Sequence, residues 1–206
     1  MPQEYEYAFT DYNKKDIISK IKKMNGVHKG TFLFRVNVFI HPLEVSGTYI
    51  RVRDEGFRIT MTYKYATSNK FLNEDEIIID NFDNGVKILL GLGCKSKYYY
   101  EKIREIWKVK NTEIIFDTNP GIDDKLEVES NTKKELDKMV KYFGLTIEDR
   151  KNRYMDLYQM EIPKTLVVLT FQNVKKNLIK HVKKNKKKFI EITDKQLKKY
   201  KKIISK

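Results

Sequence analysis

Polar and apolar residues alternate with period two in segment after segment of this chain, a pattern that predicts strands with two unlike faces. Tyr5, Tyr7 and Phe9 oppose Glu4 and Glu6; Ile50 and Val52 oppose Arg51 and Arg53; Ile59, Met61 and Tyr63 oppose Arg58, Thr60, Thr62 and Lys64. Further on, Ile77 and Ile79 oppose Glu76 and Asp80, Ile103 and Trp107 oppose Lys102 and Arg104, and Leu126 and Val128 oppose Glu127 and Glu129. Residues two apart in a strand share a face and lie roughly 6.6 Å apart along it, so each charged pair points one way. One such strand is ordinarily the wet face of an antiparallel sheet. Many such strands, rich in both signs, suit a closed barrel with a charged lumen that encloses a single ligand. Carboxylates facing arginines and lysines point to a polyanion carrying a metal.

Helical signals separate these strands. Ile17, Ile21 and Met24 recur at helical spacing over 14–24, with Asn25-Gly26 as the stop. Strands are expected near 31–40, 49–53, 58–64, 74–80, 99–109, 113–117 and 125–129, with a short helix over 83–92. The clearest helix start is Thr132 with Glu135, a capping box, followed by the stripe Leu136, Met139, Val140 and Phe143 and a C-terminal Gly144. A further helix over 149–158, a short strand over 165–171 and basic helices over 173–184 and 194–204 complete the expectation. The expected fold class is α+β: an antiparallel β-barrel with a charged lumen flanked by helices, over residues 1–160, plus a lysine-rich C-terminal extension over 161–206.

At 206 residues the chain can bury a substantial core. Cys94 is its only cysteine, which rules out an internal disulfide and fits a reducing compartment. No signal peptide opens the sequence, and the apolar run 165–171 is far shorter than the roughly 20 residues of a membrane helix. A soluble, cytoplasmic protein without membrane contact is expected. The net charge of +14 is concentrated near the C-terminus, as in Lys183-Lys184-Asn185-Lys186-Lys187-Lys188. Such a surface is usually solvated, yet it keeps RNA in play as a partner, held through its phosphates. His28, His41 and His181 are scattered without metal-ligand spacing.

The order of motifs resembles the CYTH family, the triphosphate tunnel metalloenzymes, which include class IV adenylyl cyclases, thiamine triphosphatases, inorganic tripolyphosphatases and, more distantly, RNA triphosphatases. The resemblance is carried by Glu4-x-Glu6, Arg51-x-Arg53, Lys64, Glu74-x-Glu76 with Asp80, Lys102-x-Arg104, and Asp117 leading through Asn119-Pro120-Gly121 to Glu127-x-Glu129. One departure stands out: where the family's first motif commonly continues to a lysine, this chain has Ala8.

The resemblance implies an eight-stranded antiparallel β-barrel tunnel flanked by helices, and a metal-dependent hydrolase of triphosphates such as tripolyphosphate, nucleoside triphosphate or thiamine triphosphate. A class IV-type cyclase, an RNA 5′-triphosphatase and a non-catalytic triphosphate-binding protein stay open beside it. Hard carboxylate oxygens suit Mg²⁺ or Mn²⁺. Glu4, Glu6, Glu127 and Glu129 are the expected ligands, with Glu76 and Asp117 as secondary ones. Arg51, Arg53, Lys64, Lys102 and Arg104 are expected to hold phosphate oxygens, and Lys125 to stand in for the cation missing at Ala8. Glu6 or Glu129 would orient the attacking water, and Lys64 is counted with them in catalysis. Deletion after Phe171 is expected to weaken RNA binding and spare hydrolysis. The oligomeric state is not legible.

Overall fold

Eight of the alternating segments hydrogen-bond edge to edge into one curled antiparallel sheet, seen in a computed structural model that describes residues 5–66, 72–122, 124–146, 158, 160 and 166–205. The strands are β1 (Tyr5–Phe9), β2 (Val27–Ile40), β3 (Tyr49–Asp54), β4 (Ile59–Ala66), β5 (Leu72–Ile79), β6 (Lys95–Val109), β7 (Thr112–Thr118) and β8 (Lys125–Ser130). Their order is β1-β8-β7-β6-β2-β3-β4-β5, so the first strand of the chain lies against the last strand of the sheet, with Glu6 opposite Glu129 and Ala8 opposite Glu127. Among the described residues β1 and β5 are the two edges, and the expected tunnel takes the form of a half-barrel with a charged concave face.

Long central strands give the sheet its curl. β2 and β6 pair along almost their whole length, and the register slips at two places, between His28 and Gly30 and between Val38 and Phe39. Such bulges bend a strand and sharpen its twist. At the first of them Gly30 has φ 143°, and a Cβ there would meet the Phe32 ring at 2.3 Å. Only glycine fits that corner.

Helices cover the convex face in three patches. Helices α1 (Lys14–Lys23) and α3 (Lys133–Phe143) cover β1, β8, β7 and the end of β6, enclosing Phe9, Ile17, Ile21, Trp107, Phe116, Leu126, Val128 and Leu136. Helix α2 (Phe82–Gly91) covers β3 to β5 through Phe82 and Leu89, packed on Val52 and Phe39. Over the middle lies the C-terminal segment: a two-residue strand, β9 (Val168–Leu169), parallel to β6, then α4 (Val174–Leu178) and α5 (Lys186–Ile204). Phe171 and Tyr200 pack on Ile103, with Leu33, Leu197 and Ile203 around them.

Several expectations change in detail. Helix α5 begins at Lys186, earlier than expected, because Phe189, Thr193, Gln196 and Tyr200 form one buried stripe that the surrounding lysines obscure in the sequence. The segment expected to be helical over 173–184 is a short α4 followed by a 3₁₀ turn, Ile179–His181. Ile77 is 61% exposed because β5 is an edge that no helix covers at that point. Tyr158 and Met160, on the near side of the expected domain boundary, share one apolar cluster with Val174, Leu178, Val182 and Phe189 beyond it. The expected helix over 149–158 lies almost wholly outside the described residues. No helix among the described residues is long and apolar enough to cross a membrane.

The α3 capping box forms as the sequence predicts, with a variation. Thr132 Oγ1 accepts from the Glu135 backbone N–H at 3.2 Å and donates to the Glu135 carboxylate at 3.0 Å, and Gly144 closes the helix at φ 74°. Thr132→Ala should lower stability by about 1 kcal/mol, a typical loss for an N-cap. In calorimetry this corresponds to a Tm decrease of about 2–4 °C for a chain of this size.

Candidate active site

The alternation of each strand decides what enters the concave face. Tyr5, Tyr7 and Phe9 turn outward to the helices, which turns Glu6 and Ala8 inward; Leu126 and Val128 do the same for Lys125, Glu127 and Glu129. Ile50 and Val52 face α2, leaving Arg51 and Arg53 inside, and the β4–β5 register sets Thr62 opposite Glu76 and Lys64 opposite Glu74. On β6, Ile103 and Trp107 point outward, and Lys102 and Arg104 point inward. The inward residues of β2 are apolar: Phe34, Val36 and Val38 form the floor, with Tyr49 and Tyr100 beside them.

One side of this face carries carboxylates. Glu6, Glu127 and Glu129 each offer an oxygen, and the three lie within 4.8 Å of one another. They come from the two ends of the domain, joined by the β1–β8 ladder. Like charges this close repel, and the cost falls as a cation approaches. Two neighbours supply part of that charge: Lys125 Nζ donates to Glu127 Oε1 at 2.5 Å and Arg104 donates to Glu127 Oε2 at 2.6 Å. Burial would pull the Lys125 ammonium down, but Glu127, with Asp117 and Glu6 behind it, holds it above its ordinary value. Because Ala8 pairs with Glu127, Lys125 puts its ammonium next to the position where Ala8 offers none. Glu4 lies outside the described residues.

The middle is a buried knot of opposite charge. Asp117 accepts two hydrogen bonds from Arg104, at 2.7 and 2.6 Å, and one from Lys102 at 2.8 Å. Burial alone would raise the Asp117 carboxyl; Lys102 and Arg104 overcome it and hold the group down at about 2. Burial lowers the Lys102 ammonium, although Asp117 opposes that shift. The ring of Phe34 lies beneath three cations, with Lys102 and Arg104 at 5.4 Å from its centroid and Arg53 at 5.9 Å. Such contacts favour the charged form of a partly dehydrated cation.

The far side is cationic and incompletely balanced. Arg53 reaches Glu55 at 2.5 Å and Glu76 at 3.4 Å, and Arg51 lies 3.8 Å from both Glu74 and Glu76. Glu76 also accepts from Thr62 Oγ1 at 2.8 Å. Burial pushes Glu76 upward, yet the Thr62 hydroxyl and the nearby arginines, Arg53 first, hold it below the usual carboxylate value. Lys64 is paired with Glu74. Burial and the adjacent Arg51 bring Arg53 down to about 10, still cationic at neutral pH. Among the described residues the Nε atoms of Arg51 and Arg53 are both buried without a hydrogen-bond partner. Buried donors are nearly always paired in native proteins, so two orphans on inward-facing side chains are consistent with a place for an acceptor there.

The structure thus gathers Glu6, Glu127 and Glu129 at one wall, sets Lys125, Lys102, Arg104 and Asp117 between, and puts Arg51, Arg53, Lys64 and Glu76 at the other. Asp117 and Glu76 lie apart from the carboxylate trio, each engaged with cations. Three contributors were not legible as site residues. Glu55, only 3% exposed, accepts from Arg53 and Arg58 but sits in what reads as a simple turn. Phe34 lies on a strand whose alternation, Phe34-Arg35-Val36-Asn37-Val38, would turn its apolar residues outward as on the other strands, whereas here they line the concave face. Thr62 is an inward polar residue whose value depends on Glu76 across the ladder.

Comparisons with known proteins agree with this fold. The family model of the CYTH domain matches residues 3–149. Among solved structures, the PH1012 protein of Pyrococcus horikoshii shares 23% identity at a TM-score of 0.63, over 75% of this chain and 99% of that one. A conserved hypothetical protein of Pyrococcus furiosus shares 20% identity at a TM-score of 0.61, over 72% and 95%. A Vibrio parahaemolyticus protein proposed to be an adenylate cyclase shares 18% at a TM-score of 0.61, over 73% and 93%. No curated protein matches the sequence. With most of the sheet and every strand of the charged face inside the matched region, the chain belongs to the CYTH family.

Proposed function

We propose that the chain hydrolyses the terminal phosphoanhydride bond of a linear triphosphate with the help of a divalent cation. The observation that carries this reading is the carboxylate trio of Glu6, Glu127 and Glu129, drawn within 4.8 Å and set across one concave face from arginines whose Nε donors lack acceptors. An anion with several oxygens satisfies the second half of that face, and a hard cation satisfies the first.

The donor set fits Mg²⁺ or Mn²⁺, which take carboxylate oxygens and fill the remaining positions with water and substrate phosphates. Glu6, Glu127 and Glu129 would hold it. Bound there, the cation supplies charge neutralisation between the acidic wall and the incoming phosphates. The other steps belong to the chain's own side chains. Arg51 and Arg53 grip nonbridging oxygens through their planar donor forks, and Lys64 and Lys102 act as point charges. Arg104, fixed by Asp117, stabilises negative charge as it shifts toward the leaving oxygen. A water oxygen forms the new bond to the terminal phosphorus as the bond to the bridging oxygen breaks. Glu129 or Glu6 accepts the water proton, and diphosphate leaves with the electron pair. Lys125 provides the cation that Ala8 does not. The exposed lysines at 183, 184, 186, 187 and 188 support RNA as one carrier of the triphosphate.

Product analysis with Mg²⁺ and Mn²⁺ over tripolyphosphate, ATP, thiamine triphosphate and 5′-triphosphate RNA should show phosphate release. Pyrophosphate with cyclic AMP from ATP would overturn the hydrolase reading. Glu6→Gln and Glu129→Gln should each cut turnover by about 100-fold or more, the usual scale for a lost proton acceptor, with Tm unchanged. Asp117→Asn should lower stability by about 3 kcal/mol, because two buried cations lose their shared anion. The pH dependence has a definite sign. Asp117 is depressed in the fold, so its contribution is complete above the unfolded carboxylate pKa of about 4 and is lost as pH falls toward about 2. Acid titration of wild type and Asp117→Asn should therefore converge below that window and diverge above it.

A further inference from the structure

The loop that joins β7 to β8 has a buried apex, which is unusual for a connection, since its backbone polar groups then need partners inside the protein. Pro120 and Gly121 are both covered. The partners come from one side chain of α5, far outside the region that carries the family match. Gln196, 6% exposed, accepts from the Gly121 backbone N–H at 2.8 Å and donates to the carbonyls of Asn119 at 3.1 Å and Ile122 at 2.6 Å. One carboxamide thereby uses its acceptor oxygen and both its N–H donors on three groups of a single turn.

Further ties run between the same two elements. Lys199, one helical turn along α5, donates to Thr118 Oγ1 at 3.0 Å, and Thr118 donates to Asp124 Oδ1 at 2.7 Å across the base of the loop. Gly121, at φ 77°, lies so close to the C-terminal segment that a Cβ would meet Val174 Cγ2 at 2.7 Å and Phe189 Cε2 at 3.2 Å. The strand that leaves this loop begins with Lys125 and continues to Glu127 and Glu129, and the strand that enters it ends with Asp117 and Thr118.

We propose that Gln196 is a positioning residue for the active site: it fixes the β7–β8 turn and so sets where Lys125 and Glu127 stand relative to Asp117 and Arg104. On this account α5 is a brace of the tunnel wall, and its lysines are the solvent side of a structural element. Deletion after Phe171 then disables the site as well as any RNA contact. The proposal rests on β8 as the wall of the metal site, but its mechanical half stands without it.

The test compares full-length Gln196→Leu, which keeps the volume and removes the three bonds, with Leu197→Ala, which loosens α5 on Leu33 and Ile103 without touching the loop. Hydrogen exchange of the β8 amides should rise at least about tenfold in Gln196→Leu and stay near wild type in Leu197→Ala. Mn²⁺ binding, read by electron paramagnetic resonance of the free ion without substrate, should weaken by about tenfold in Gln196→Leu alone, the lower end of what lost outer-shell support costs a metal. Unchanged β8 exchange in Gln196→Leu, or equal effects in both variants, would overturn the proposal. Faster β8 exchange in a protein whose wild type binds no Mn²⁺ would support the brace and sink the metal reading instead. If Gln196→Leu does not fold, Lys199→Met, which cuts the neighbouring tie, should raise β8 exchange in the same sense, and its failure to do so counts against the proposal.

Discussion

Arg104 ties the acidic wall to the buried knot at the middle of the charged face. Its guanidinium holds Asp117 with two hydrogen bonds and Glu127 with a third. The carboxylates hold it above its ordinary pKa against the opposing pull of burial. Charges removed from water survive only when paired and hydrogen-bonded, so this one residue conditions the placement of its neighbours. Lys102 is admitted to the buried knot because Asp117 has an oxygen for it. Glu127 tolerates Glu6 and Glu129 nearby because Arg104 and Lys125 offset its charge. The acidic wall and the buried knot beside it are therefore linked through one side chain.

The same pairing explains how one concave face can carry so many charges. Lys64 lies on Glu74, Arg53 on Glu55 and Lys125 on Glu127, so much of the face neutralises itself. The balance is incomplete at Arg51 and Arg53, where buried Nε donors have no acceptor among the described residues, and at the carboxylate trio, where oxygens of one sign converge. Under the proposed function, a triphosphate with its cation would complement both deficits. Binding would then exchange internal ion pairs for pairs to the ligand, which would limit the net gain in affinity and leave room for stabilisation of charge that develops only in the transition state.

Much of this was legible in the sequence because a strand period of two assigns each residue to a face. Glu6, Arg51, Arg53, Lys102, Arg104, Glu127 and Glu129 all fall inward by parity, and α3 was legible from Thr132, Glu135 and Gly144. Parity gives direction but not adjacency. That Ala8 meets Glu127, and that Asp117 turns to Arg104 instead of joining the trio, follow from ladder registers between distant segments. Glu55 escaped because turns have no alternation, and Phe34 because β2 reverses the rule of its neighbours and turns its apolar parity, Phe34, Val36 and Val38, to the concave face. The role of α5 escaped for a different reason. A glutamine that bonds three backbone groups of a loop some 75 residues away leaves no periodic trace, and the lysines around it read as a solvated tail.

The most direct test of the charge segregation is a crystal structure of the protein with Mn²⁺ and a nonhydrolysable tripolyphosphate analogue, using anomalous scattering to locate the metal. The account predicts an anomalous peak among Glu6, Glu127 and Glu129, with phosphate oxygens on Arg51 and Arg53 and their Nε donors engaged. A peak at Asp117 or Glu76 instead, or the analogue bound with no metal at the trio, would contradict it.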